Sequence, residues 1–102
     1  MSDLAFEWDP GKAASNLKHH GVSFDEAASV FRNPLAQVLP DPTHSQGEER
    51  AIMVGHAAGG RLLLVVFTDR EKRIRIISAR EVSRRERRLY EEHSQSRKHS
   101  GK

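Results

Sequence analysis

The arginines in the last third of the chain are the side chains best suited to chemistry. Arg73 and Arg75 alternate as they would on one face of a strand, and Arg80 follows Ser78 by two residues. Ser78 and Glu81 form an S-x-x-E pattern, which is typical of a helix start. Because a helix start offers unpaired N–H groups and the positive end of the helix dipole, an arginine beside the cap hydroxyl could hold a phosphate. The pattern predicts a phosphate site, centred on Arg80, that consists of Arg70, Arg73, Arg75, Ser78 and Arg80.

Four further arginines follow on the helix that is predicted over residues 81–92. They could bind a partner, or they could form an ordinary solvated face. Glutamates stand four residues from several of them, as Glu81 does from Arg85 and Glu91 from Arg87, and this spacing lets helical ion pairs form. The sequence leaves both interpretations open for the helix arginines.

The loop at residues 41–50 is a second candidate site. It contains His44, Glu48 and Arg50, which together could supply a base, an acid and a group that stabilises an anion. Functional residues are often carried by loops, but the same residue types are common in surface loops that do no chemistry. Both interpretations stay open here as well.

The six histidines do not have the spacing of a metal site. Zinc-binding helices place two histidines four residues apart, whereas His19 and His20 are adjacent and would point apart on a helix. We therefore expect no bound metal and no cofactor. His20 comes just before Gly21, where an imidazole either stabilises a helix end or acts as an acid or base. Tyr90 either packs its helix on the sheet or presents its hydroxyl to a substrate.

Local signals divide the chain into helices and strands. Asp9 and Pro10 are typical of a helix start, and Gly21 suits the position after a helix end. Ser23 and Glu26 form a capping box for a second helix. Strands are predicted at residues 6–8, as a short edge strand, and at 35–39, 50–56, 61–68 and 73–77, before the helix at 81–92.

This order of elements predicts a small α+β fold with an antiparallel sheet of about four strands, two N-terminal helices and one C-terminal helix. Residues 62–67 are apolar on both faces, so we expect them to form a central strand that is covered on each side. Residues 1–92 should form a single domain. Residues 93–102 are polar and lack periodicity, which predicts a disordered basic tail.

The composition excludes several classes of protein. The chain has no cysteine, so it has neither a disulfide framework nor a cysteine zinc site. Its longest apolar run is six residues, far below the roughly 18 that a membrane helix needs. The first residues lack the basic region of a signal peptide. We therefore expect a cytoplasmic protein.

Charge is distributed unevenly along the chain, whose total is +3. Residues 1–60 have four basic and eight acidic side chains, whereas residues 61–102 have thirteen basic and six acidic ones. Such asymmetry indicates a polyanionic partner. Nucleic acid is favoured over an anionic membrane, because no amphipathic segment is rich in exposed large apolar residues.

Five segments, in order, carry a family resemblance: FEWDPGKAASNL, HGVSFDEAASVF, HSQGEER, GRLLLVVFT and RIRIISAREVSRRERRLYEE. In these segments the sequence resembles the BrnT family, the toxin half of BrnT/BrnA type II toxin–antitoxin systems, from Phe6 to Glu92. The resemblance implies a RelE-like toxin that cleaves RNA and inhibits translation. It also implies a BrnA-like antitoxin that neutralises the toxin in a 2:2 heterotetramer, and operator DNA that is bound through the antitoxin alone.

One position departs from the family pattern. Family members commonly have Lys-His-Gly at the end of the first helix, whereas this chain has Lys18, His19, His20 and Gly21, with a histidine at the expected lysine position. If that lysine contacts RNA, His19 would do so well only when it is protonated.

The resemblance and the residues together imply RNA cleavage without a metal. The 2′-hydroxyl of the RNA would attack the adjacent phosphorus, which requires a proton acceptor, cations for the phosphorane and an acid for the leaving oxygen. We expect Arg80, with Arg75 or Arg70, to stabilise the phosphate, and His20 or His44 to act as base or acid. The remaining candidates are Glu48 and Tyr90 for catalysis and Arg73, Ser78, Lys12 and Arg50 for RNA binding.

Two other functions compete with this one. A non-enzymatic nucleic-acid-binding module would need little more than the basic second half, although six aromatic residues, most at expected core positions, make a poor stacking platform. A pure interaction protein would use the charged helix to bind an acidic partner. Incubation with unstructured RNA in EDTA separates cleavage from binding.

Overall fold

The computed structural model describes the backbone of residues 4–41 and 49–100, and the side chains as far as His93. Within this range the α-helices are α1 (Pro10–His20), α2 (Phe24–Ser29) and α3 (Arg84–Ser100), and a 3₁₀ turn, Val30–Arg32, follows α2. The strands are β1 (Phe6–Glu7), β2 (Gln37–Pro40), β3 (Ala51–His56), β4 (Leu62–Arg70) and β5 (Arg73–Glu81). No helix in this range is both long and apolar enough to span a membrane.

The described strands form one sheet in the order β1-β5-β4-β3-β2. β2 to β5 are antiparallel neighbours along the chain, as predicted, but β1 pairs in parallel with β5 and places Glu7 opposite Arg75. The expected antiparallel sheet of about four strands is thus corrected to a mixed sheet of five. The reason is that the short N-terminal strand joins the otherwise open edge of β5. The α+β class, with two N-terminal helices and one C-terminal helix, is confirmed.

β4 is the central strand and is covered on both faces, as its continuous apolar run predicts. On one face, Leu63 and Val65 pack with Phe24 in the main core, beneath α1 and α2. On the other face, Leu62 packs with Tyr90 of α3. We call the face with Leu63 and Val65 the helix-pair face and the face with Leu62 the α3 face.

The helix signals of the first third are confirmed by the capping contacts. Asp9 Oδ2 accepts a hydrogen bond from the N–H of Lys12 at 2.9 Å, and Ser23 Oγ accepts one from the N–H of Glu26 at 3.0 Å. Gly21 follows α1 with a φ of 69°, a left-handed conformation that glycine adopts without a Cβ clash. The start and end of α1 and the start of α2 therefore follow from local signals in the sequence.

The prediction that Ser78 caps the last helix is wrong. Ser78 lies in β5 opposite Val66, and the strand continues through Ala79 to Glu81. A bulge in β5 opposite Val66 lets both Ile76 and Ala79 be buried on the helix-pair face, each with 1% exposure. The burial of these two side chains outweighs the local helix-start signal.

α3 begins instead after Ser83. The Ser83 N–H donates to Glu86 Oε1 at 2.8 Å, and the Glu86 N–H donates to Ser83 Oγ at 3.1 Å, which completes a reciprocal capping box. The helix continues to Ser100 rather than ending at Glu92. Residues 93–100 therefore belong to α3 and not to the unstructured tail that was expected, while residues 101–102 lie outside the described range.

The buried amide of Asn16 joins α1 to the sheet. Its Nδ2 donates to the carbonyl oxygens of Val22 and Ala79 at 2.9 and 2.8 Å, and its Oδ1 accepts from the N–H of Ala79 at 3.1 Å. The side chain thus bonds the backbone of β5 as a neighbouring strand would, beyond the point where β1 has ended. Asn16 is 6% exposed, so these backbone groups have little access to water as an alternative partner.

We expect Asn16→Ala to lower the free energy of unfolding by about 2–4 kcal/mol, because it leaves buried backbone groups without partners. Urea denaturation followed by circular dichroism measures the change. Asn33→Ala is the matched control. It removes the half-buried amide that bonds Leu35 and His56 and should cost about 1 kcal/mol. Equal losses in the two variants would contradict the role assigned to Asn16.

Candidate nucleic-acid-binding face

The strand register places the candidate arginines on the α3 face of the sheet. Arg75 pairs with Thr68, and Arg80 pairs with Leu64, which packs in the same cluster as Tyr90. Paired residues in a sheet share a face, and successive residues alternate between faces. Arg75 and Arg80 are therefore directed away from α1 and α2.

Three arginines surround the carboxylate of Glu7 at the β1 edge of this face. Arg75 Nη1 lies 3.3 Å from Glu7 Oε2, Arg73 Nη1 lies 3.4 Å from Oε1, and Arg70 Nη1 lies 3.5 Å from Oε2. The parallel pairing of β1 with β5 creates this arrangement, because it sets Glu7 beside Arg75. We name Glu7, Arg70, Arg73 and Arg75 the arginine cluster.

The arginine cluster keeps Glu7 ionised. Partial burial by itself would raise the pKa of the Glu7 carboxyl, but the hydrogen bonds from Arg75 and Arg73 and the charges of Arg75 and Arg70 outweigh it. They hold the pKa below its ordinary value of 4.5. At neutral pH the cluster therefore contains one carboxylate charge.

The cluster also has positive charge to spare. Arg73 and Arg75 have no acidic partner other than Glu7 among the described residues, so one carboxylate faces two guanidinium charges even before Arg70 is considered. All three contacts exceed the roughly 2.7–2.9 Å of a close charge-assisted hydrogen bond, and the Arg73 side chain is 65% exposed. A phosphate that approaches from solvent would thus find donors on Arg73 and Arg75 that are only partly used.

Arg80, the predicted centre of the site, is bound to Glu86 of α3. Its Nη1 and Nη2 donate to Glu86 Oε1 and Oε2, each at 2.9 Å, and Nη1 also donates to the carbonyl oxygen of Glu81 at 3.1 Å. The Arg80 hydrogen bonds, opposed by burial and helped by Ser83, lower the pKa of Glu86 to about 2. The pair is neutral and closely bonded, so Arg80 is less available to a phosphate than Arg73 or Arg75.

The helix start that was expected to support Arg80 has a different partner. Ser78 lies within β5, and the N-terminus of α3 is capped by Ser83 and by the Glu86 carboxylate. Arg80 and Glu86 therefore fasten α3 to the end of β5. The structure brings Arg70, Arg73 and Arg75 together and leaves Ser78 and Arg80 farther along the strand.

The other predicted site residues are spread over the molecule. Lys12 and His20 are exposed in the first and last turns of α1, which packs on the helix-pair face. Arg50 is half-buried just before β3. His44 and Glu48 fall outside the described residues.

Tyr90 has the packing role that the sequence left open. It is 6% exposed, its hydroxyl donates to the Leu35 carbonyl oxygen at 3.1 Å, and its ring meets His56 edge to face with a centroid distance of 5.9 Å. These contacts anchor α3 to the sheet and to the segment before β2.

Glu7 is absent from the residues that the sequence predicts for the site. A signal exists, because Phe6, Glu7 and Trp8 alternate and the two aromatic side chains pack against the core, which leaves Glu7 on the other side. The pairing of β1 with β5, however, joins segments nearly seventy residues apart. Local periodicity does not reveal it.

The described residues offer no ready metal site. Within that part of the chain, no three histidine, aspartate or glutamate side chains are grouped so that they could hold an ion. The chemistry that the described α3 face offers is anion binding by guanidinium groups.

The lowered pKa of Glu86 predicts an acid-sensitive contact. Its folded pKa of about 2 lies below the ordinary 4.5, so its stabilising effect is complete above pH 4.5 and is lost as the pH falls toward 2. We expect Glu86→Gln, which keeps a capping side chain, to lose less unfolding free energy than the wild type between pH 5.5 and pH 2.5. Urea midpoints at the two pH values measure this. Glu92→Gln should behave as the wild type, and an identical pH response in all three proteins would contradict the assignment.

Removing the Glu7 charge should strengthen binding of a polyanion. In Glu7→Gln the three guanidinium groups lose their shared carboxylate, so a single-stranded oligonucleotide should bind several-fold more tightly, with a steeper dependence on salt concentration. Fluorescence anisotropy over a salt series measures both quantities. Glu92→Gln is the control, because it removes one negative charge from α3 and leaves the arginine cluster unchanged. An equal gain in affinity in this variant would show that net charge alone causes the effect.

Comparison with known proteins agrees with the family resemblance. A family model described as "Ribonuclease toxin, BrnT, of type II toxin-antitoxin system" matches residues 8–86, whereas no curated protein matches. The chain is also similar to the crystal structure of the ribonuclease toxin BrnT from Brucella abortus, with a TM-score of 0.62 and 22% identity over 80% of this chain and 100% of that chain. That similarity shows a shared fold. The family match, which covers most of the chain, shows that this protein belongs to the BrnT family of ribonuclease toxins of type II toxin–antitoxin systems.

Proposed function

We propose that this chain is a metal-independent endoribonuclease that binds the scissile phosphate of RNA at the arginine cluster. The observation that carries the proposal is the excess of guanidinium over carboxylate charge: Arg73 and Arg75 share the single carboxylate of Glu7. Arg70, whose Nη1 also contacts Glu7, lies at the same place. RNA cleavage of the kind expected for the family needs such a concentration of cations.

The chemistry explains why cations at fixed positions matter. Attack of the 2′-hydroxyl on phosphorus builds negative charge on the non-bridging oxygens of the phosphorane. Donors held in place before the reaction stabilise that charge without reorganisation. Arg75 is well suited to this task, because it is paired on both sides, with Glu7 of β1 and Thr68 of β4, and 34% of its side chain is exposed. Two guanidinium groups side by side present a fork of N–H donors that matches phosphate oxygens.

Proton transfer is assigned to groups near the bound RNA. The Glu7 carboxylate is ionised and in contact with the phosphate-binding arginines, so it is the proton acceptor for the 2′-hydroxyl that the described residues favour. His20, on α1 at the helix-pair face, is disfavoured, and His44 and Glu48 remain candidates from the sequence alone. An imidazole could also donate the proton to the leaving 5′-oxygen, since its ordinary pKa of about 6.5 permits either role. To transfer a proton to or from the RNA, Tyr90 would have to give up its hydrogen bond to the Leu35 carbonyl oxygen, which makes it a less favourable catalytic group.

Arg80 has a secondary place in this proposal. A phosphate could recruit Arg80 only by competing with the Glu86 carboxylate, which already takes both ends of the guanidinium. Lys12 and Arg50 would contact the RNA backbone away from the scissile bond, and Ser78, between Arg75 and Arg80 on β5, would donate a weaker hydrogen bond.

The wider setting follows from family membership. We propose that the chain acts in the cytoplasm, inhibits translation by cleaving RNA, and has the RelE-like fold that the resemblance implies. A BrnA-like antitoxin would neutralise it in a 2:2 heterotetramer, and operator DNA would be bound through that antitoxin. Co-purification with the protein encoded next to this chain tests the assembly.

The cleavage assay follows from the charge argument. In EDTA, the purified protein should cut unstructured RNA and leave 2′,3′-cyclic phosphate ends. Arg75→Ala should reduce the rate about 100- to 1,000-fold, as the loss of one preorganised oxyanion donor does elsewhere. Arg80→Ala should reduce it less. Arg84→Ala, which removes an exposed arginine of α3, is the matched control and should leave the rate unchanged.

Three results would contradict the proposal. Cleavage that stops in EDTA would contradict metal independence, and cleavage by Arg75→Ala at the wild-type rate would remove the arginine cluster from the site. Binding of RNA without cleavage would favour the non-enzymatic alternative. Circular dichroism of each variant confirms that the fold is retained.

A further inference from the structure

An open apolar groove lies between α3 and the β2 edge of the sheet. It has a volume of about 590 Å³, and its floor is formed by Ile52, Val54 and Leu64. One wall is β2, and the other is the side of α3 that carries Leu89 and Tyr90. The groove is on the same face of the sheet as the arginine cluster but at the opposite edge, since β2 and β1 are the two outer strands.

The groove exists because α3 touches the sheet at few points. Tyr90 is the one side chain of α3 that is buried in the described range, and the Arg80–Glu86 pair holds the first turn. Leu89, one residue before Tyr90, is 56% exposed. In the described part of the chain, the helix therefore stands away from β2, and no described side chain covers the apolar residues on the two walls.

Exposed apolar residues concentrate around this groove. Among the described residues, six large hydrophobic side chains are exposed, and three of them, Leu35, Leu39 and Leu89, lie just before β2, on its groove face, or on the facing side of α3. An exposed apolar patch of this kind is typical of a binding surface. Of the remaining three, Val38 is on β2 but faces the helix-pair side of the sheet with Met53, and Leu4 and Leu17 lie elsewhere.

β2 has the features of a strand that accepts another strand. It is the outermost strand of the described sheet, and its sequence, Gln-Val-Leu-Pro, contains no charged residue; Pro40 has no N–H to donate, so an added strand would pair with residues 37–39. Gln37 and Leu39 pair with Val54 and Ile52, so they share the groove face. An added extended peptide would place alternate side chains over the groove and bond its backbone to the outer edge of β2.

Charge favours an acidic occupant. Arg85 lies one turn before Leu89 on α3, is exposed, and has no acidic partner among the described residues; the same is true of Arg84 and Arg88. In a second copy paired through β2 about a two-fold axis normal to the sheet, both α3 helices would lie over the same side of the joined sheet, and their arginines would repel. A different chain with acidic residues beside apolar ones avoids this repulsion.

We infer that the groove between β2 and α3 is the docking site for an extended, apolar and acidic segment of the partner protein, which adds a sixth strand at β2. This inference rests on the proposed function, because the partner in question is the antitoxin of the system. Docking at β2 leaves the arginine cluster, at the other edge of the sheet, uncovered by that strand. Anchoring of the partner and inhibition of RNA cleavage are therefore separable.

The test uses the protein encoded next to this chain, co-purified and then titrated onto the separated toxin chain by isothermal calorimetry. Leu89→Glu places a negative charge in the groove, and the expected result is a loss of partner affinity of at least 20-fold. Leu17→Glu is the matched control, since Leu17 is equally exposed, at 53%, but lies on α1. It should bind as the wild type does. RNA cleavage by both variants, measured without the partner, should equal that of the wild type.

Hydrogen exchange supplies a second readout that does not depend on a variant. The amides of Gln37, Val38 and Leu39 should gain protection when the partner binds. Unchanged exchange there, or unchanged affinity in Leu89→Glu, would overturn the inference. A dimer of the chain alone that dissociates on Leu89→Glu would also overturn it, because the occupant would then be a second copy. If the wild-type chain does not cleave RNA in the absence of the partner, that result would instead count against the proposed function.

Discussion

The Glu7 carboxylate is the contact on which the cationic face depends. Like charges about 4 Å apart repel by about 1 kcal/mol in water and by more near a protein surface, so a shared counter-charge lowers the cost of holding several arginines together. Glu7 provides it for Arg70, Arg73 and Arg75 at once. Its position follows from a strand of two residues, β1, whose parallel pairing with β5 is the one non-antiparallel contact of the described sheet.

Some arginines of this fold form structural ion pairs, whereas others are available to bind an external anion. Arg61 bonds the Glu26 carboxylate, the Gly21 carbonyl oxygen and Glu81, and thereby ties the start of β4 to the end of α1, to α2 and to β5. Arg80 and Glu86 form a matched pair that attaches α3. In both networks the carboxylates at least match the guanidinium groups in number. The arginine cluster has the reverse balance, which is why it is the place where an external phosphate can be accommodated.

Much of the fold can be predicted from local signals, and the site less so. The caps Asp9, Gly21 and Ser23 and the apolar run of β4 are local, and each leads to the correct element. The end of β5 is different, because two S-x-x-E patterns lie five residues apart and tertiary burial of Ile76 and Ala79 decides between them. This choice moves Arg80 from a helix start into a strand and gives it Glu86 as a partner. The role of Glu7 depends on pairing between distant segments, which periodicity does not encode.

The central claim is that RNA phosphate binds at Arg73 and Arg75 and not at Arg80. The most direct measurement is an NMR titration of the arginine Nε–Hε signals with an oligoribonucleotide whose 2′-hydroxyls are methylated, so that it binds without being cut. The account predicts the largest shifts at Arg73 and Arg75, with the Arg80 signal unchanged because Glu86 retains its guanidinium. Large shifts at Arg80 with no response at Arg73 and Arg75 would contradict it.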